Sequence, residues 1–409
     1  MIPKFYNLGI KFYGYAIRIA ALKNQKAKLW IEGRKNTFEY LEKSITKNDE
    51  VIWIHAPSLG EFEQARPLIQ SLKKDYSKFK ILITFYSPSG YEIRKDYPLA
   101  DYICYLPLDT KENSKRFIEL VNPKFTFFVK YDFWANYLNE LQKRNHQHYV
   151  ISAIFRNNQY FFKKKGKWML EILAKIDHFF VQNEDSKYML LTRNITQVNT
   201  TGDTRFDRVI DITNKAIELP LLKLFKQEKP LFIAGSTWRK GEELIVEFTK
   251  HYSTRFKYVI APHEINHEQI EKLRTQFNLK VLLYSETTEQ NIATAEVLII
   301  DNIGLLSSLY AYADIAYIGG GFGKGIHNTL EAATFGMPIF IGPKNEKFQE
   351  AQELKEIGVA QEINSAQELI AHCDHLFTRP KKWIDLKEKS KGYVIAKAGA
   401  TEKIIQSIF

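Results

Sequence analysis

The chain has 409 residues, of which 45% are hydrophobic and 26% are charged, a balance that excludes extended disorder and is typical of a folded protein. Its 58 Lys and Arg residues outnumber its 47 Asp and Glu residues, and the net charge of +11 favours an acidic partner such as nucleic acid, an anionic membrane or a phosphorylated substrate. With only two cysteines, Cys104 and Cys373, a disulfide scaffold is excluded and a reducing compartment is favoured.

Two stretches of the first half combine aromatic and basic residues. Residues 2–22 read IPKFYNLGIKFYGYAIRIAAL, and residues 160–168 read YFFKKKGKW. Neither reaches the roughly 18 uninterrupted apolar residues of a membrane span, and the first lacks the clean apolar core of a cleavable signal. We expect a helix lying in a membrane interface, the alternative being a first helix packed on its own domain. The predicted interfacial side chains are Phe5, Tyr6, Lys11, Phe12, Arg18, Phe161, Phe162, Lys163, Lys164 and Lys165.

Short apolar runs alternate with helical patterns along the rest of the chain, which predicts βαβ units and parallel sheets. The first set of predicted strands is 51–54, 80–84, 125–129 and 178–181. The second set is 231–234, 258–260, 280–283, 297–300, 315–318 and 338–341. The sequence therefore predicts an α/β protein of two doubly wound domains facing a shared cleft, spanning 1–207 and 229–409, with a linker at 208–228. In such sheets ligands bind beyond the carboxyl ends of the strands.

The loop after the first predicted strand reads HAPSLGEFE and places Glu61 near the start of the next helix. A glutamate there could be a first-turn residue favoured by the helix dipole. At the mouth of a cleft it could instead act as a general base.

Glycine-rich strand-to-helix junctions in the second half predict a phosphate-binding site. Residues 318–331 read IGGGFGKGIHNTLE, and residues 234–243 read AGSTWRKGEE. Glycine lets the backbone approach a phosphate, and the start of the following helix offers unpaired N–H groups. Neither junction is a Walker or GxGxxG motif. Two further junctions, at 301–306 and 342–350, contain Gly304 and Lys344 and could contact the same ligand.

Two side chains of the longest glycine-rich junction have a structural alternative. Glu331 lies three residues after Asn328, a spacing that fits helix capping, but its carboxylate could instead bind the two hydroxyls of a ribose. His327 could be a buried histidine or could contact the ligand.

Ten segments, taken together and in this order, resemble the family of 3-deoxy-D-manno-oct-2-ulosonic acid (Kdo) transferases of lipopolysaccharide assembly. They are SLGE (58–61), Thr84 with SPSGYE (87–92), YLPLD (105–109), WAN (134–136), QNE (182–184), GDTRFD (202–207), GST (235–237), GG (319–320), HNTLE (327–331) and GP (342–343). The similarity runs from the N-terminal aromatic segment to about residue 360.

The resemblance implies a GT-B architecture of two facing Rossmann-like domains, CMP-Kdo as donor, a lipid A precursor (lipid IVA) as acceptor, and no metal or other cofactor. It further implies attachment to the cytoplasmic face of the bacterial inner membrane. By position, Glu61 matches the catalytic base of the family, and inversion by a single displacement is expected. The matching donor-site residues are Gly235, Ser236, Thr237, Gly319, Gly320, His327, Asn328 and Glu331. Candidates for donor or acceptor contacts are Ser58, Gly60, Asp132, Arg156, Arg205, His263, Gly304 and Lys344.

The chain departs from the family pattern at four places. Lys130-Tyr131-Asp132 stands where the pattern has two glutamates, and Leu305 replaces a glutamate. Ser152-Ala153-Ile154 and Pro262-His263-Glu264 replace Asn-Ala-Arg and Pro-Arg-His.

Other functions remain open from sequence. The nearest alternative is a GT-B glycosyltransferase that uses a UDP-sugar. The alternative from another class is a non-enzymatic protein that binds anionic lipid or nucleic acid, although nucleic acid is not the expected partner. The His-Cys-Asp-His run at 372–375 is interpreted as a solvated helix face rather than a metal site, because no second such cluster occurs.

Overall fold

The computed structural model describes residues 2–215 and 217–409, which form two compact units. The first unit extends to Arg208 and also includes Ala398–Phe409, and the second unit is Val209–Lys397. Each unit contains one seven-stranded parallel sheet with helices on its faces. The predicted class, an α/β protein of two doubly wound, Rossmann-like units, is confirmed.

The first sheet has the order β3-β2-β1-β4-β5-β6-β7. Its strands are β1 (Val51–His55), β2 (Lys80–Phe85), β3 (Tyr102–Tyr105), β4 (Phe125–Val129), β5 (Gln147–Ala153), β6 (His178–Val181) and β7 (Val198–Thr200). The helices up to the unit boundary are α1 (Lys4–Ala20), α2 (Gln25–Glu32), α3 (Thr37–Ser44), α4 (Leu59–Asp75), α5 (Pro88–Arg94), α6 (Lys111–Val121), α7 (Ala135–Lys143), α8 (Lys167–Leu173), α9 (Glu184–Leu191) and α10 (Arg205–Asn214).

The second sheet has the order β10-β11-β9-β8-β12-β13-β14. Its strands are β8 (Leu231–Thr237), β9 (Lys257–Pro262), β10 (Val281–Leu283), β11 (Val297–Ile299), β12 (Ile315–Ile318), β13 (Ile339–Ile341) and β14 (Ala360–Glu362). The remaining helices are α11 (Pro220–Lys226), α12 (Arg239–His251), α13 (His267–Arg274), α14 (Leu306–Leu309), α15 (Leu330–Phe335), α16 (Gln349–Glu356), α17 (Ala366–Phe377), α18 (Pro380–Lys397) and α19 (Ala400–Ile408).

Strand order reverses once in each sheet, and this positions the sites. In the first unit β1 pairs with β2 on one side and β4 on the other, and in the second unit β8 pairs with β9 and β12. The loops after β1 and β4 diverge to opposite faces of the sheet, as do those after β8 and β12. A crevice opens between such loops at the carboxyl ends of the strands, where doubly wound folds bind ligands.

The C-terminal segment differs from the expected domain division, because helix α19 belongs to the first unit. The Asp207 carboxylate accepts hydrogen bonds from the backbone N–H of Gly399 at 2.5 Å and of Thr401 at 2.7 Å. Ile404 is fully buried in the first unit's core, and the ring of Phe409 contacts that of Phe125 at 4.7 Å. The expected linker, 208–228, contains most of α10 and all of α11.

The aromatic residues predicted to face a membrane divide into two groups. Phe5 and Phe12 are 60% and 74% exposed on α1. Tyr6, in contrast, donates its hydroxyl hydrogen to Asp109 at 2.6 Å. Phe161 is buried in the core of the first unit, and Phe162 packs against that core under the Arg193 guanidinium, 4.1 Å from the ring centre. These three positions correct the prediction. Tyr6 is hydrogen-bonded to Asp109 and packs against the core, and the two phenylalanine rings pack inward from the short helical turns at 160–166.

The cations of both stretches remain at the surface. The exposed basic side chains are Lys4, Lys11, Arg18, Lys163, Lys164, Lys165 and Lys167. Trp168 brings the two stretches together, since its ring lies 6.1 Å from that of Phe5 and 5.2 Å from that of Tyr6. Within the described residues, no helix is both long and apolar enough to cross a membrane.

Candidate functional site

Glu61 and Lys130 meet at the carboxyl ends of β1 and β4. Glu61 lies in the first turn of α4, which follows β1, and Lys130 directly follows β4 with a positive φ of 63°. The Lys130 ammonium donates to Oε1 of Glu61 at 2.8 Å, and the Ser58 hydroxyl donates to Oε2. Both carboxylate oxygens are thus held by side chains. Glu61 is a first-turn residue of α4, as one interpretation predicted, and its assignment as a general base stays a prediction.

The surroundings of Glu61 favour its ionised form. Burial raises the pKa of this carboxyl, but the charge of Lys130 and the hydrogen bonds from Lys130 and Ser58 outweigh burial, and the pKa is lowered from its ordinary value. The side chain of Glu61 is 19% exposed and that of Lys130 is 26% exposed. The carboxylate is therefore able to accept a proton, and its proton affinity increases if a ligand displaces Lys130.

Asp132 belongs to a hydrogen-bonded network beside this pair. Its Oδ2 accepts hydrogen bonds from Nε2 of the fully buried His55 at 2.9 Å and from the indole N–H of Trp134 at 2.8 Å. The other ring nitrogen of His55 lies 2.9 Å from the hydroxyl of Thr84. The network fixes the loop that carries Lys130, because Asp132 is only two residues further along the chain.

Three further candidates of the first unit have different surroundings. Arg205 forms a 2.8 Å ion pair with Asp203, so its charge is used within the fold. Arg156 has an exposed side chain. Gly60 has open space beside it, because a Cβ built there would come no closer than 3.9 Å to the Ser58 hydroxyl oxygen. The fold therefore tolerates a side chain at Gly60.

In the second unit, the ends of β8 and β12 approach so closely that one position requires glycine. The N–H of Gly319 donates to the carbonyl oxygen of Gly235 at 2.9 Å, and a Cβ at Gly319 would lie 2.0 Å from the carbonyl oxygen of Ser236. Ser236 itself has a positive φ of 52°, and Gly320 has one of 91°. Thr237 closes the strand with its hydroxyl donating to Glu242 at 2.8 Å. The structure thus brings the two predicted glycine-rich junctions together.

Glu331 accepts hydrogen bonds from side chains on two elements. The Ser307 hydroxyl on α14 donates to Oε2 at 2.7 Å, and the Asn328 amide donates to Oε1 at 3.1 Å. The Asn328 side chain also accepts a hydrogen bond at 3.1 Å from the backbone N–H of Leu330, the first residue of α15, whereas the N-cap residue is Thr329. These hydrogen bonds orient the Glu331 carboxylate, and the residue is partly exposed. An oriented and accessible carboxylate can accept hydrogen bonds from ribose hydroxyls.

His327 is one of three aromatic side chains that form a cluster beside this loop. The indole N–H of Trp238 donates to Nε2 of His327 at 3.0 Å. The rings of His263 and His327 stack with centroids 4.1 Å apart, and those of Trp238 and His263 are 4.9 Å apart. Burial and, secondly, the nearby His263 lower the pKa of His327 to about 4, so this histidine is neutral at neutral pH.

A cavity of about 510 Å³ lies between the α12 start and the glycine-rich loop. Its lining residues are Trp238, Arg239, Lys240, Gly241, Tyr317, Gly320, Phe322, Gly323, Lys324, Gly325 and His327. Three cations face an otherwise aromatic and glycine-lined space, which suits a ligand that combines an anionic group with a ring.

Gly304 and Lys344 lie in neighbouring loops. Gly304 has a positive φ of 100° and precedes α14, which supplies Ser307. The backbone N–H of Lys344 donates to the carbonyl oxygen of Gly321 at 2.9 Å, so this loop contacts the glycine-rich loop, and the Lys344 side chain is exposed.

Sequence reasoning missed Trp238 and Ser307 and treated Lys130 only as a departure from a pattern. An aromatic residue directly after Gly-Ser-Thr at a strand end was a usable signal for Trp238. The partners of Ser307 and Lys130 are 24 and 69 residues away in sequence, and no local pattern indicates such pairs.

Residues 372–375 lie within α17, where Cys373 is buried. No group of three or more His, Cys, Asp or Glu side chains able to hold a metal occurs among residues 2–215 and 217–409.

Comparison with known proteins finds a similarity in the part of the chain that contains Glu61. Residues 32–208 match the sequence model of the 3-deoxy-D-manno-octulosonic-acid transferase (kdotransferase) family. That part of the chain is thus similar to Kdo transferases. The match includes Glu61, Lys130 and Asp132, and it confirms the resemblance predicted from the sequence.

Curated relatives extend the similarity into the second unit. A 3-deoxy-D-manno-octulosonic acid transferase of Haemophilus influenzae is 28% identical over 78% of this chain and 77% of its own length. One of Aquifex aeolicus is 28% identical over 83% of this chain and 89% of its own length. A bifunctional glycosyltransferase/methyltransferase of Fusobacterium nucleatum is 27% identical over 79% of this chain. The match spans about half of that relative, 52% of its length. The chain is thus related to Kdo transferases, which are glycosyltransferases.

Solved structures agree on the fold. A glycosyltransferase of Rickettsia africae superposes with a TM-score of 0.58 at 15% identity, covering 88% of this chain and 97% of that one. A UDP-GlcNAc 2-epimerase of Neisseria meningitidis superposes with a TM-score of 0.62 at 16% identity, covering 88% of this chain and 99% of that one. These similarities confirm the GT-B type of α/β fold.

Proposed function

We propose that the protein transfers Kdo from CMP-Kdo to a sugar hydroxyl of a lipid A precursor such as lipid IVA, with inversion and without a metal. The observation that carries the proposal is the position of Glu61 within the matched family segment, where it lies at the carboxyl end of β1 as an ionised carboxylate held by Lys130 and Ser58.

In the proposed reaction Glu61 removes the proton from the acceptor hydroxyl while that oxygen attacks the anomeric carbon of Kdo. The bond from that carbon to the CMP phosphate oxygen breaks, and CMP leaves with the bonding electron pair. Backbone N–H groups and side chains around Thr237 and Gly320, with the cations Lys240 and Lys324 nearby, would stabilise the charge on the departing phosphate.

Glu331, Asn328 and Ser307 would hold the nucleotide ribose. Their hydrogen bonds already orient the Glu331 carboxylate, so little ordering is left for ligand binding. A preorganised carboxylate of this kind accepts hydrogen bonds from two adjacent hydroxyls.

We further propose that α1 attaches the protein peripherally to an anionic membrane, the cytoplasmic face of the inner membrane. Five of its six exposed large apolar or aromatic residues, all but Tyr13, recur at alternating intervals of three and four positions, which places them on one helix face. They are Phe5, Leu8, Phe12, Tyr15 and Ile19. Lys4, Lys11 and Arg18 recur every seven residues and are exposed. An exposed apolar stripe accompanied by cations is typical of a helix lying in a membrane interface.

The donor proposal is tested by comparing CMP with UDP at equal concentrations in a thermal-shift assay on the full chain. A ligand that binds only the folded state raises Tm in proportion to the logarithm of its concentration over its Kd. CMP should raise Tm and UDP should have little effect. A larger shift with UDP would instead favour a glycosyltransferase that uses a UDP-sugar.

A further inference from the structure

The hydrogen bond between Trp238 and His327 determines which nitrogen of His327 carries the proton. An indole N–H is only a donor, so Nε2 of His327, at 3.0 Å, must be the acceptor. A neutral imidazole has one N–H, and it is therefore on Nδ1. None of the other described residues accepts a hydrogen bond from this Nδ1. His327 thus presents an N–H donor that the fold itself does not use.

The geometry of the cluster keeps the two rings in this arrangement. The planes of Trp238 and His327 differ by only 12° with centroids 6.5 Å apart, so the hydrogen-bonded rings are nearly parallel. His263 stacks on His327 with an interplanar angle of 21°. Gly320 lies against the imidazole edge, where a Cβ would be 3.0 Å from Cδ2 of His327. The ring is therefore confined from three directions.

Both rings line the cavity of about 510 Å³, together with the cations Arg239, Lys240 and Lys324. Burial and the neighbouring His263 disfavour a positive charge on His327. A protonated His327 would also direct an N–H from Nε2 at the indole N–H and lose the hydrogen bond. The cavity therefore combines a neutral N–H donor with cationic side chains along its lining, a combination suited to an anionic oxygen.

We propose that Trp238 is a positioning residue of the donor site, which holds His327 in the form protonated on Nδ1 so that this N–H donates to an anionic oxygen of the nucleotide-sugar. This inference rests on the proposed function for the nature of the ligand, whereas the tautomer itself does not depend on it. Trp238 acts through His327 and makes no contact with the reacting atoms in this proposal.

The tautomer is measured directly by ¹⁵N NMR of the histidine-labelled full chain, with the His327 signal assigned by its loss in His327→Gln. The proposal predicts a neutral imidazole with pyrrole-type Nδ1 and pyridine-type Nε2, unchanged between about pH 6 and 8. A proton on Nε2, or titration near the ordinary histidine pKa, would overturn the proposal whether or not the protein transfers Kdo.

The functional consequence is tested with Trp238→Phe, which keeps an aromatic ring beside His263 but removes the N–H donor. CMP affinity should fall on the order of tenfold, because a hydrogen bond to a charged group is weakened. The His327 signals should shift towards mixed tautomers. Trp383→Phe, in the same unit and remote from the cavity lining, should change neither. Unchanged CMP affinity and tautomer in Trp238→Phe would contradict the inference. If wild-type protein has the predicted tautomer but binds no CMP, the proposed function fails instead.

Discussion

At the scale of single residues, the proposed base is restrained by its neighbours. Lys130 and Ser58 hold both oxygens of Glu61, which fixes its orientation but lowers its pKa. A carboxylate with a lowered pKa is a weaker base, and general-base catalysis is most effective when the pKa of the base lies near the working pH. The substrates of the proposed reaction carry carboxylate and phosphate groups, which could compete for the Lys130 ammonium and release Glu61.

Replacing Glu61 with Gln preserves size and polarity but removes the ability to accept a proton. We expect turnover to fall by about 10²–10⁴-fold, the usual contribution of general-base catalysis. CMP affinity should remain near the wild-type value, since Glu61 belongs to the first unit and the proposed donor residues belong to the second. Activity within a few-fold of wild type would show that Glu61 is not the base.

Replacing Lys130 with Met should raise the pKa of Glu61, because burial then acts without the opposing charge. The acidic limb of the pH profile of kcat/KM should move to higher pH, since that limb reports the base in the free enzyme. In the wild type, the lowered pKa of Glu61 stabilises the folded state at pH values above the pKa that Glu61 has in the unfolded chain. This stabilisation is lost as the pH falls through the pKa of Glu61 in the folded state.

Lys130→Arg serves as the matched control, because it keeps the positive charge. Its acidic limb should remain close to that of wild type. An unchanged limb in Lys130→Met would show that Lys130 does not control the protonation of Glu61.

Replacing Glu331 with Ala distinguishes ribose binding from helix capping. If Glu331 binds ribose, CMP affinity should fall by tenfold or more, on the order expected for losing hydrogen bonds to a charged group. A capping residue would instead cost about 0.5–2 kcal/mol of stability and leave CMP binding unchanged. Glu353→Ala provides the control, because Glu353 is also a hydrogen-bonded glutamate on a helix of the second unit. Its partner Lys397, on α18, is not among the proposed donor-site residues, so CMP affinity should not change. Calorimetric titration with CMP and thermal unfolding give the two readouts.

Among the elements, sequence patterns predicted every middle strand except β5, and one edge strand, β10. All ten predicted strands are present, because buried parallel strands are continuous apolar runs. Of the four that were missed, β3, β7 and β14 are edge strands, and two of them, VNT and AQE, are too short and polar to give such a signal. The fourth, β5, begins with Gln147 and His148, which obscure its apolar remainder.

Composition did not show which aromatic side chains of residues 2–22 and 160–168 are buried. The predicted helix at the N-terminus exists, but Tyr6 faces Asp109 inside the protein while Phe12 faces outward. Periodicity fixes which residues share a face, whereas the choice of the buried face depends on residues more than 100 positions away.

Replacing Lys163, Lys164 and Lys165 by Glu tests the membrane proposal. All three side chains are exposed, so folding should be unaffected, whereas binding to vesicles containing anionic phospholipid should weaken by about tenfold or more through the reversed charge. Phe12→Ser should also weaken binding, while Phe161→Ser should lower Tm, because Phe161 is buried.

Co-sedimentation with anionic and neutral vesicles at low and high salt measures this binding. Wild-type protein that fails to sediment with anionic vesicles at low salt would contradict interfacial attachment.

At the scale of the whole molecule, the sequence predicted two Rossmann-like units but not the return of the chain to the first. Local patterns describe α19 as an amphipathic helix and cannot indicate which core it covers. The contacts of Asp207 with Gly399 and Thr401 determine this, and they join positions almost 200 residues apart. The same holds for the candidate sites. The glycine-rich loops and Glu61 were predicted from local sequence, whereas the contacts of Lys130, Ser307 and Trp238 form only in the folded chain.

The central claim is that the protein transfers Kdo from CMP-Kdo. The most direct measurement incubates the purified full chain with CMP-Kdo and tetraacylated lipid A precursor, and determines the product mass by mass spectrometry, with Glu61→Gln in parallel. We expect the acceptor mass to increase by one or more Kdo residues, CMP to be released in equal amount, and the variant to form product about 10²–10⁴-fold more slowly. An acceptor of unchanged mass with active wild-type protein that binds CMP, or equal product formation by Glu61→Gln, would contradict it.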